Sequence, residues 1–249
     1  MARASGDMPI GPVVDPAPAR LPKRTTLRGR LVDLVPLDTK SHGDSLFELT
    51  GGHGNKSLWL YLRSGPFPGR KSFDVYLKQL AASDDPLCFA IIDKPSGRAL
   101  GWATFMRIEP TDRVVEVGNV VFTRALQRTT GATEAIYLMA RQAFEELGYR
   151  RFEWKCNALN ARSRKAALRF GFKFEGVFRQ HMIVKGRSRD SAWFSIIDSE
   201  WPERKKAFEA WLHPSNFDAR GRQKTSLSAL NNVKAEPSRR MEAASSKTS

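Results

Sequence analysis

An apolar run, Val114–Phe122, passes directly into Thr123-Arg-Ala-Leu-Gln-Arg-Thr-Thr-Gly-Ala-Thr-Glu134 and then into a helix-periodic segment. A strand that gives way to a helix through a short loop of small residues admits few architectures. The helix must fold back onto a sheet face, which calls for a layered α/β chain. The loop also has a chemical consequence. The first amides of a helix have no intrahelical partner, and its dipole favours negative charge there. Gln127, Arg128, Thr129, Thr130, Gly131 and Ala132 could therefore wrap a pyrophosphate, with Arg124 or Arg128 adding charge. An ordinary strand–helix connection is the other reading of the same residues.

The flanking pattern extends the layered reading. Leu31–Val35 alternates and stops at Pro36, and Lys40–Leu49 reads as a helix after Asp38-Thr39. Arg70–Ala82 places Phe73, Leu77 and Leu80 on one helical stripe. Two apolar strands, Leu87–Ile92 and Ala99–Arg107, flank the turn residues Asp93-Lys-Pro-Ser-Gly97. Beyond the central helix, which runs to Leu147 and ends at Gly148, come a strand at Phe152–Asn157 and a helix at Asn160–Phe170. A hairpin at Glu175–Val184 and Ala192–Asp198 follows, then a helix at Trp201–Leu212. The order predicts an α/β (α+β) three-layer domain with a mixed central sheet and helices on both faces. No internal repeat interrupts it.

Charge sets the outer boundaries. The chain carries +15 at pH 7, yet residues 1–30 hold six basic and two acidic groups, and residues 221–249 hold the same. Segments rich in Pro/Ala near the start and in Ser/Lys/Arg/Asn near the end predict disordered tails at 1–23 and 217–249, around a domain at 24–216. Basic tails could touch nucleic acid, but no groove-reading motif stands beside them, so a nucleic-acid partner is not predicted. Two cysteines, Cys88 and Cys156, sit in apolar runs, as expected of buried free thiols in a reducing compartment. His42, His53, His181 and His213 lack ligand spacing, so no metal site is predicted. No apolar run has membrane-spanning length and the start has no leader-like stretch; the expected location is the cytoplasm and no membrane partner is expected.

Two blocks carry a family resemblance. Gln127 to Ala132 resembles the acyl-CoA motif Q/R-x-x-G-x-G/A of GNAT (GCN5-related) N-acetyltransferases, with Thr130 where glycine is usual and Gly131 one residue late. Asn160-Ala-Arg-Ser163, Leu168-Arg-Phe-Gly-Phe172 and Glu175-Gly176 resemble the N-x-x-S…GF…EG segment of the RimJ/RimL-like ribosomal-protein alanine/serine branch. The resemblance spans about Leu27 to Trp201. It implies the GNAT fold, acetyl-CoA as co-substrate, and transfer of the acetyl group to a primary amine, on a protein N-terminus or a small molecule. It leaves open a monomer or a homodimer. A non-catalytic acyl-CoA-binding regulator of the same fold is the alternative.

Acyl transfer to an amine needs a proton acceptor, charge stabilisation at the thioester oxygen and a protonated leaving sulfur. Glu116, the lone carboxylate of an apolar strand eleven residues before Gln127, reads either as that base or as a cross-strand partner of Lys155 or an arginine. Gly118-Asn119 inside the strand predicts a bulge that splays it from Phe152–Asn157. The resemblance then implies a freed amide near Val120 or Val121, with Phe122 beside it, facing the thioester. It also implies Asn160 holding the pantetheine arm and Ser163 passing a proton to sulfur. The bland readings of these two are a helix N-cap and its neighbour. Ala167 stands where many GNATs place an acidic tyrosine. Trp59, Tyr61 and Phe67, in the glycine-rich stretch with Leu60, Gly65 and Pro66, are expected either to cover the acceptor or to pack as a satellite cluster under a loop.

Overall fold

The computed structural model describes residues 10–232. The chain runs β1 (Leu27–Arg28), β2 (Val32–Pro36), α1 (Thr39–Thr50), a 3-10 turn at His53–Trp59, α2 (Arg70–Ala82), β3 (Leu87–Asp93), β4 (Ala99–Glu109) and β5 (Val114–Phe122). It continues with α3 (Thr130–Arg141), β6 (Arg151–Asn157), α4 (Ala161–Arg169), β7 (Lys173–Val184), β8 (Arg187–Ile197), α5 (Trp201–Leu212) and α6 (Leu227–Asn232). All eight strands join one sheet in the order β1-β2-β3-β4-β5-β6-β8-β7. Every neighbouring pair is antiparallel except β5 and β6, which are parallel.

Strand alternation divides the molecule into two cores. Val115 and Val117 of β5, Phe152 and Trp154 of β6, and Phe194 and Ile196 of β8 point to one face. There they pack with Ile136 and Met139 of α3 and Phe208 and Trp211 of α5. Cys88, Ala90 and Trp102 point to the other face, under Leu46 of α1 and Phe73 and Leu77 of α2. The predicted mixed sheet with helices on both faces is the observed architecture. The second face is covered by helices only over β2–β4. Over β5, β6 and β8 it carries polar side chains instead: Glu116, Glu153, Ser191 and Ser195.

A buried carboxylate fixes α3 to the sheet edge. Glu134 Oε1 accepts from the Arg30 amide at 2.9 Å, and Oε2 accepts from the amides of Leu31 and Val32 at 2.6 and 2.9 Å. It satisfies three donors in the β1–β2 turn that the sheet leaves unpaired. The central helix was expected to run unbroken to Leu147. It passes instead from α3 into one π-helical turn at Gln142–Glu146, which realigns Leu147 and Gly148 for the entry to β6.

The domain limits need correction at both ends. Leu227, in the expected C-terminal tail, is 0% exposed. Asn231 Nδ2 donates to the Arg169 carbonyl at 2.9 Å and Arg204 Nη1 donates to the Asn231 carbonyl at 2.7 Å, so α6 locks onto α4 and α5. Polar composition concealed one apolar anchor flanked by amide side chains. At the other end the Ala19 amide donates to the Pro110 carbonyl and the Arg20 amide to the Leu147 carbonyl. The ordered unit thus extends beyond 24–216; the remainder of both expected tails, 1–9 and 233–249, lies outside the described residues. Cys88 and Cys156 are free and buried.

Candidate active site

The parallel pairing of β5 with β6 stops after three residues: Val114, Val115 and Glu116 pair with Arg151, Phe152 and Glu153. The cause lies on the other side of β5. Trp102 pairs with Val121 and Thr104 with Gly118, so Asn119 and Val120 together face Ala103. This is a bulge at the Gly118-Asn119 position that the sequence marks. Asn119 takes φ 46°, and its Nδ2 donates to the Tyr76 hydroxyl at 3.1 Å, which ties the bulge to α2. A Cβ on Gly118 would come within 2.4 Å of Met106 Sδ and 2.9 Å of Glu116 Oε1, so the glycine leaves room for both side chains as they lie. Beyond Glu116 the two strands diverge. Val120, Val121 and Phe122 occupy the freed part of β5, while β6 stays paired to β8 as far as Asn157–Ser191.

The loop after β5 leads to the mouth of this gap. Gln127 Nε2 donates to the Phe122 carbonyl at 2.8 Å. Thr129 is the N-cap of α3, its hydroxyl oxygen accepting from the Ala132 amide at 3.1 Å. The turn takes its left-handed residue at Arg128, φ 64°, rather than at a glycine. Gly131 is needed for a different reason: a Cβ there would meet Val32 Cγ1 at 2.8 Å, so its absence brings the first turn of α3 against β2. Among the described residues the amides of Arg128, Thr130 and Gly131 have no protein acceptor, which leaves them available to an anion.

Across the gap, Asn160 caps α4 with its Oδ1 accepting from the Ser163 amide at 3.1 Å. Ser163 Oγ accepts from Trp154 Nε1 at 3.0 Å. That bond fixes the hydroxyl and leaves its hydrogen to point elsewhere. Burial pushes the neighbouring Cys156 thiol up, so it stays protonated.

Glu116 is 2% exposed and lies on the face opposite α3. Its Oε2 sits 3.2 Å from Lys155 Nζ and 3.4 Å from Arg107 Nε. These are ion-pair contacts without hydrogen-bond alignment, since the same oxygen has no donor aimed at it. Burial raises the carboxyl above its ordinary value, with Glu153 adding to the rise and Lys155 and Arg107 opposing it. The cross-strand partnership expected of Glu116 is therefore present, together with the upward shift expected of a base. Arg107 and Lys155 both lie against the Trp193 ring, at 5.0 and 4.9 Å from its centroid.

The aromatic stretch behaves in two ways. Trp59 is 0% exposed; its Nε1 donates to the Thr50 carbonyl at 2.8 Å and its ring packs on Phe67, Tyr76 and Trp102. The expectation that Trp59 lines an acceptor cleft is corrected: it is core, because the 3-10 turn carries it inward onto α2. Phe67 stacks on Tyr76 in the same cluster. Tyr61 faces outward, and its hydroxyl donates to the Leu159 carbonyl in the β6–α4 loop at 3.3 Å. Lys185 Nζ, from the β7–β8 turn, donates to the Trp59 carbonyl at 2.7 Å. The stretch therefore spans the open end of the gap.

Beyond Glu175-Gly176, no residue of the hairpin was singled out from sequence as a site residue. His181 Nδ1 lies 2.9 Å from Ser191 Oγ, on the face that holds Lys155 and Trp193, and burial together with Lys155, Arg189 and Arg107 holds the ring below its ordinary pKa. Phe178 pairs with Ser191 and Met182 with Arg189, so three residues, Arg179, Gln180 and His181, stand opposite Asp190 alone. That irregularity breaks the alternation from which facing could be read.

A protein family described as acetyltransferase (GNAT) domain matches residues 34–173. The crystal structure of a GCN5-related N-acetyltransferase from Brucella melitensis superposes with a TM-score of 0.85 at 46% identity, covering 87% of this chain and 98% of that one. A protein of the GNAT family from Chromobacterium violaceum superposes with a TM-score of 0.73 at 40% identity, over 80% of this chain and 100% of that one. At 22% identity and a TM-score of 0.56, the fold is shared with the microcin C7 self-immunity acetyltransferase MccE, whose structure contains acetyl-CoA and AMP; 68% of this chain and 93% of that one are covered. No curated protein matches the sequence.

Proposed function

This chain belongs to the GNAT acetyltransferase family, and from that footing we propose that it moves the acetyl group of acetyl-CoA to a primary amine by direct attack in a ternary complex. The observation that carries the reading is the gap that opens where β5–β6 pairing ends at Glu116 and Glu153. It exposes strand edges to a pantetheine arm, sets a free-amide loop at one end and brings Glu116 and Ser163 to its sides.

Each residue has a role in this proposal. The amides of Arg128, Thr130 and Gly131, in the turn closed by Gln127, Thr129 and Ala132, hold the pyrophosphate at the start of α3. The freed edge at Val120, Val121 and Phe122 binds the arm and offers an amide to the thioester oxygen as charge develops there. Asn160 holds the arm from the α4 side. Glu116, directly or through a water, takes the proton that the attacking ammonium must lose. As the C–N bond forms and the C–S bond breaks, the Ser163 hydroxyl hydrogen goes to the leaving sulfur. Tyr61 borders the acceptor. Direct attack is favoured over an acyl-enzyme because burial raises both cysteine thiols and leaves neither a ready nucleophile.

The ion pairs of Glu116 with Lys155 and Arg107 favour a second reading, in which Glu116 is structural and the amine arrives already neutral. Initial rates against both substrates test the main proposal, with the products weighed by mass spectrometry. Intersecting double-reciprocal lines and an acetylated amine are expected. Parallel lines with an acetylated protein would contradict direct transfer.

A further inference from the structure

Arg189 lies on β8 opposite Met182, and by strand alternation shares its face with Ser191, Trp193 and Ser195. It is 8% exposed. Among the described residues it makes no ion pair. Its Nε has no acceptor, and Nη1 reaches only the Tyr61 carbonyl at 3.5 Å, the outer limit of a hydrogen bond. Arg151, two strands from β4 on the same sheet, shows what a satisfied arginine looks like here: it holds Glu153 at 2.7 Å and Glu175 through two nitrogens. Burial works against the charge of Arg189, yet a guanidinium does not release its proton. A buried, unpaired guanidinium is among the costlier features a fold can keep.

The surroundings deepen the deficit. Glu116, the one carboxylate that acts on Arg189, is already held by Lys155 and Arg107. The charged form of His181, beside Ser191, is disfavoured by burial and by Lys155, Arg189 and Arg107. Glu153 and Glu175 are taken up by Arg151, which leaves Arg107, Lys155 and Arg189 with Glu116 as their nearest carboxylate. The anion loop at Gln127–Gly131 opens α3, which packs on the other face of the sheet, so Arg189 is not part of that loop's surroundings.

We propose that Arg189 is the anchor for an anionic group on the acceptor, so that the substrate is an amine that also carries a carboxylate or a phosphate. This rests on the acetyltransferase reading above and narrows its acceptor class. The guanidinium would take the anion in a forked pair, and the amine would then lie toward Glu116 and the gap. Tyr61, whose carbonyl already touches Arg189, would close over the bound molecule.

The test uses matched amines that differ in one charge: β-alanine against β-alaninamide, the dipeptide Gly-Ala against its C-terminal amide, and O-phosphoethanolamine against ethanolamine. The expected kcat/KM is about tenfold or more higher for a charged member, consistent with a desolvated charge-assisted pair. In the carboxylate pairs the amide has the less basic amine, so intrinsic availability of the free base works against that order. The pair that shows the preference distinguishes carboxylate from phosphate. Arg189→Gln is expected to bring the preference to within about twofold and leave the KM for acetyl-CoA unchanged, and Arg189→Lys to retain part of it. Calorimetric titration of N-acetyl-β-alanine and its amide into the CoA-saturated protein reads the same anchor without turnover. Failure to acetylate any amine would defeat the acetyltransferase reading alone, because the titration still decides this one. Equal kcat/KM within every pair, with equal binding of acid and amide, would overturn the inference even if the Arg189 variants did not fold.

Discussion

Glu116 is held between two tendencies: burial that favours its neutral form and two cations that favour its charge. Its folded pKa is raised, so the native state keeps the proton to a higher pH than the unfolded chain does. The stability it contributes is full below the ordinary carboxylate value and is lost as pH rises through the raised one. As a base it must be ionised, so kcat should fall as pH drops through that same value. Glu116→Gln should lower kcat by roughly 10²–10⁴-fold and abolish the acidic limb of the pH–rate profile, with acetyl-CoA affinity unchanged. A variant within about threefold of the parent, with the same profile, would leave Glu116 a structural partner of Lys155. Glu134 offers a cleaner energetic test, because its role is to satisfy three amides. Glu134→Ala orphans all of them, at about 1–3 kcal/mol each at most, and should lower unfolding stability in urea by about 3 kcal/mol or more. Glu134→Gln, which keeps one acceptor oxygen, should cost less. Glu116 was legible in sequence as a lone carboxylate in an apolar strand; Glu134 was not, because its partners are backbone amides a hundred residues away.

At the scale of the element, the first turn of α3 couples the anion loop to the sheet. Gly131→Val would drive a branched side chain into Val32, where the Cβ alone stands 2.8 Å from Cγ1. It should lose about 1–3 kcal/mol of stability as well as affinity for CoA, so it does not isolate binding. Thr129→Ala removes the N-cap and should cost only about 1 kcal/mol, measured by the same unfolding curves. α6 carries a further expectation. Leu227→Ala should destabilise the domain by about 2–5 kcal/mol, because the side chain is fully buried; a change under about 0.5 kcal/mol would mean α6 is not part of the folded unit. The long elements were readable because their periodicity is local. α2, β5 and α5 have the bounds expected from hydrophobic stripes, from flanking turns and from Pro202 at the start of α5. α6 was missed because six residues with one buried leucine hold no period, and its stability comes from the Asn231 contacts with α4 and α5.

Over the whole molecule, the sheet separates two approaches to one gap. The loop that opens α3 serves one face, while Arg107, Lys155, His181 and Arg189 line the other. The gap itself could be anticipated from Gly118-Asn119, since a bulge is written into the chain at the point where it forms. The side lined by Arg107, Lys155, His181 and Arg189 could not, because β7 sets Arg179, Gln180 and His181 opposite Asp190 alone and so interrupts the alternation there. The inward packing of Trp59 was hidden for a related reason: a 3-10 turn decides its direction, and no period announces one. Among the described residues no helix is long and apolar enough to cross a membrane. The most direct measurement is release of free thiol from acetyl-CoA as a function of added amine, in samples whose thermal midpoint with and without acetyl-CoA is also recorded. A raised midpoint together with thiol release that is continuous and requires the amine is expected. A raised midpoint with no amine-dependent thiol release would make the chain an acyl-CoA-binding regulator, and no shift at millimolar acetyl-CoA would contradict the site between β5 and β6 altogether.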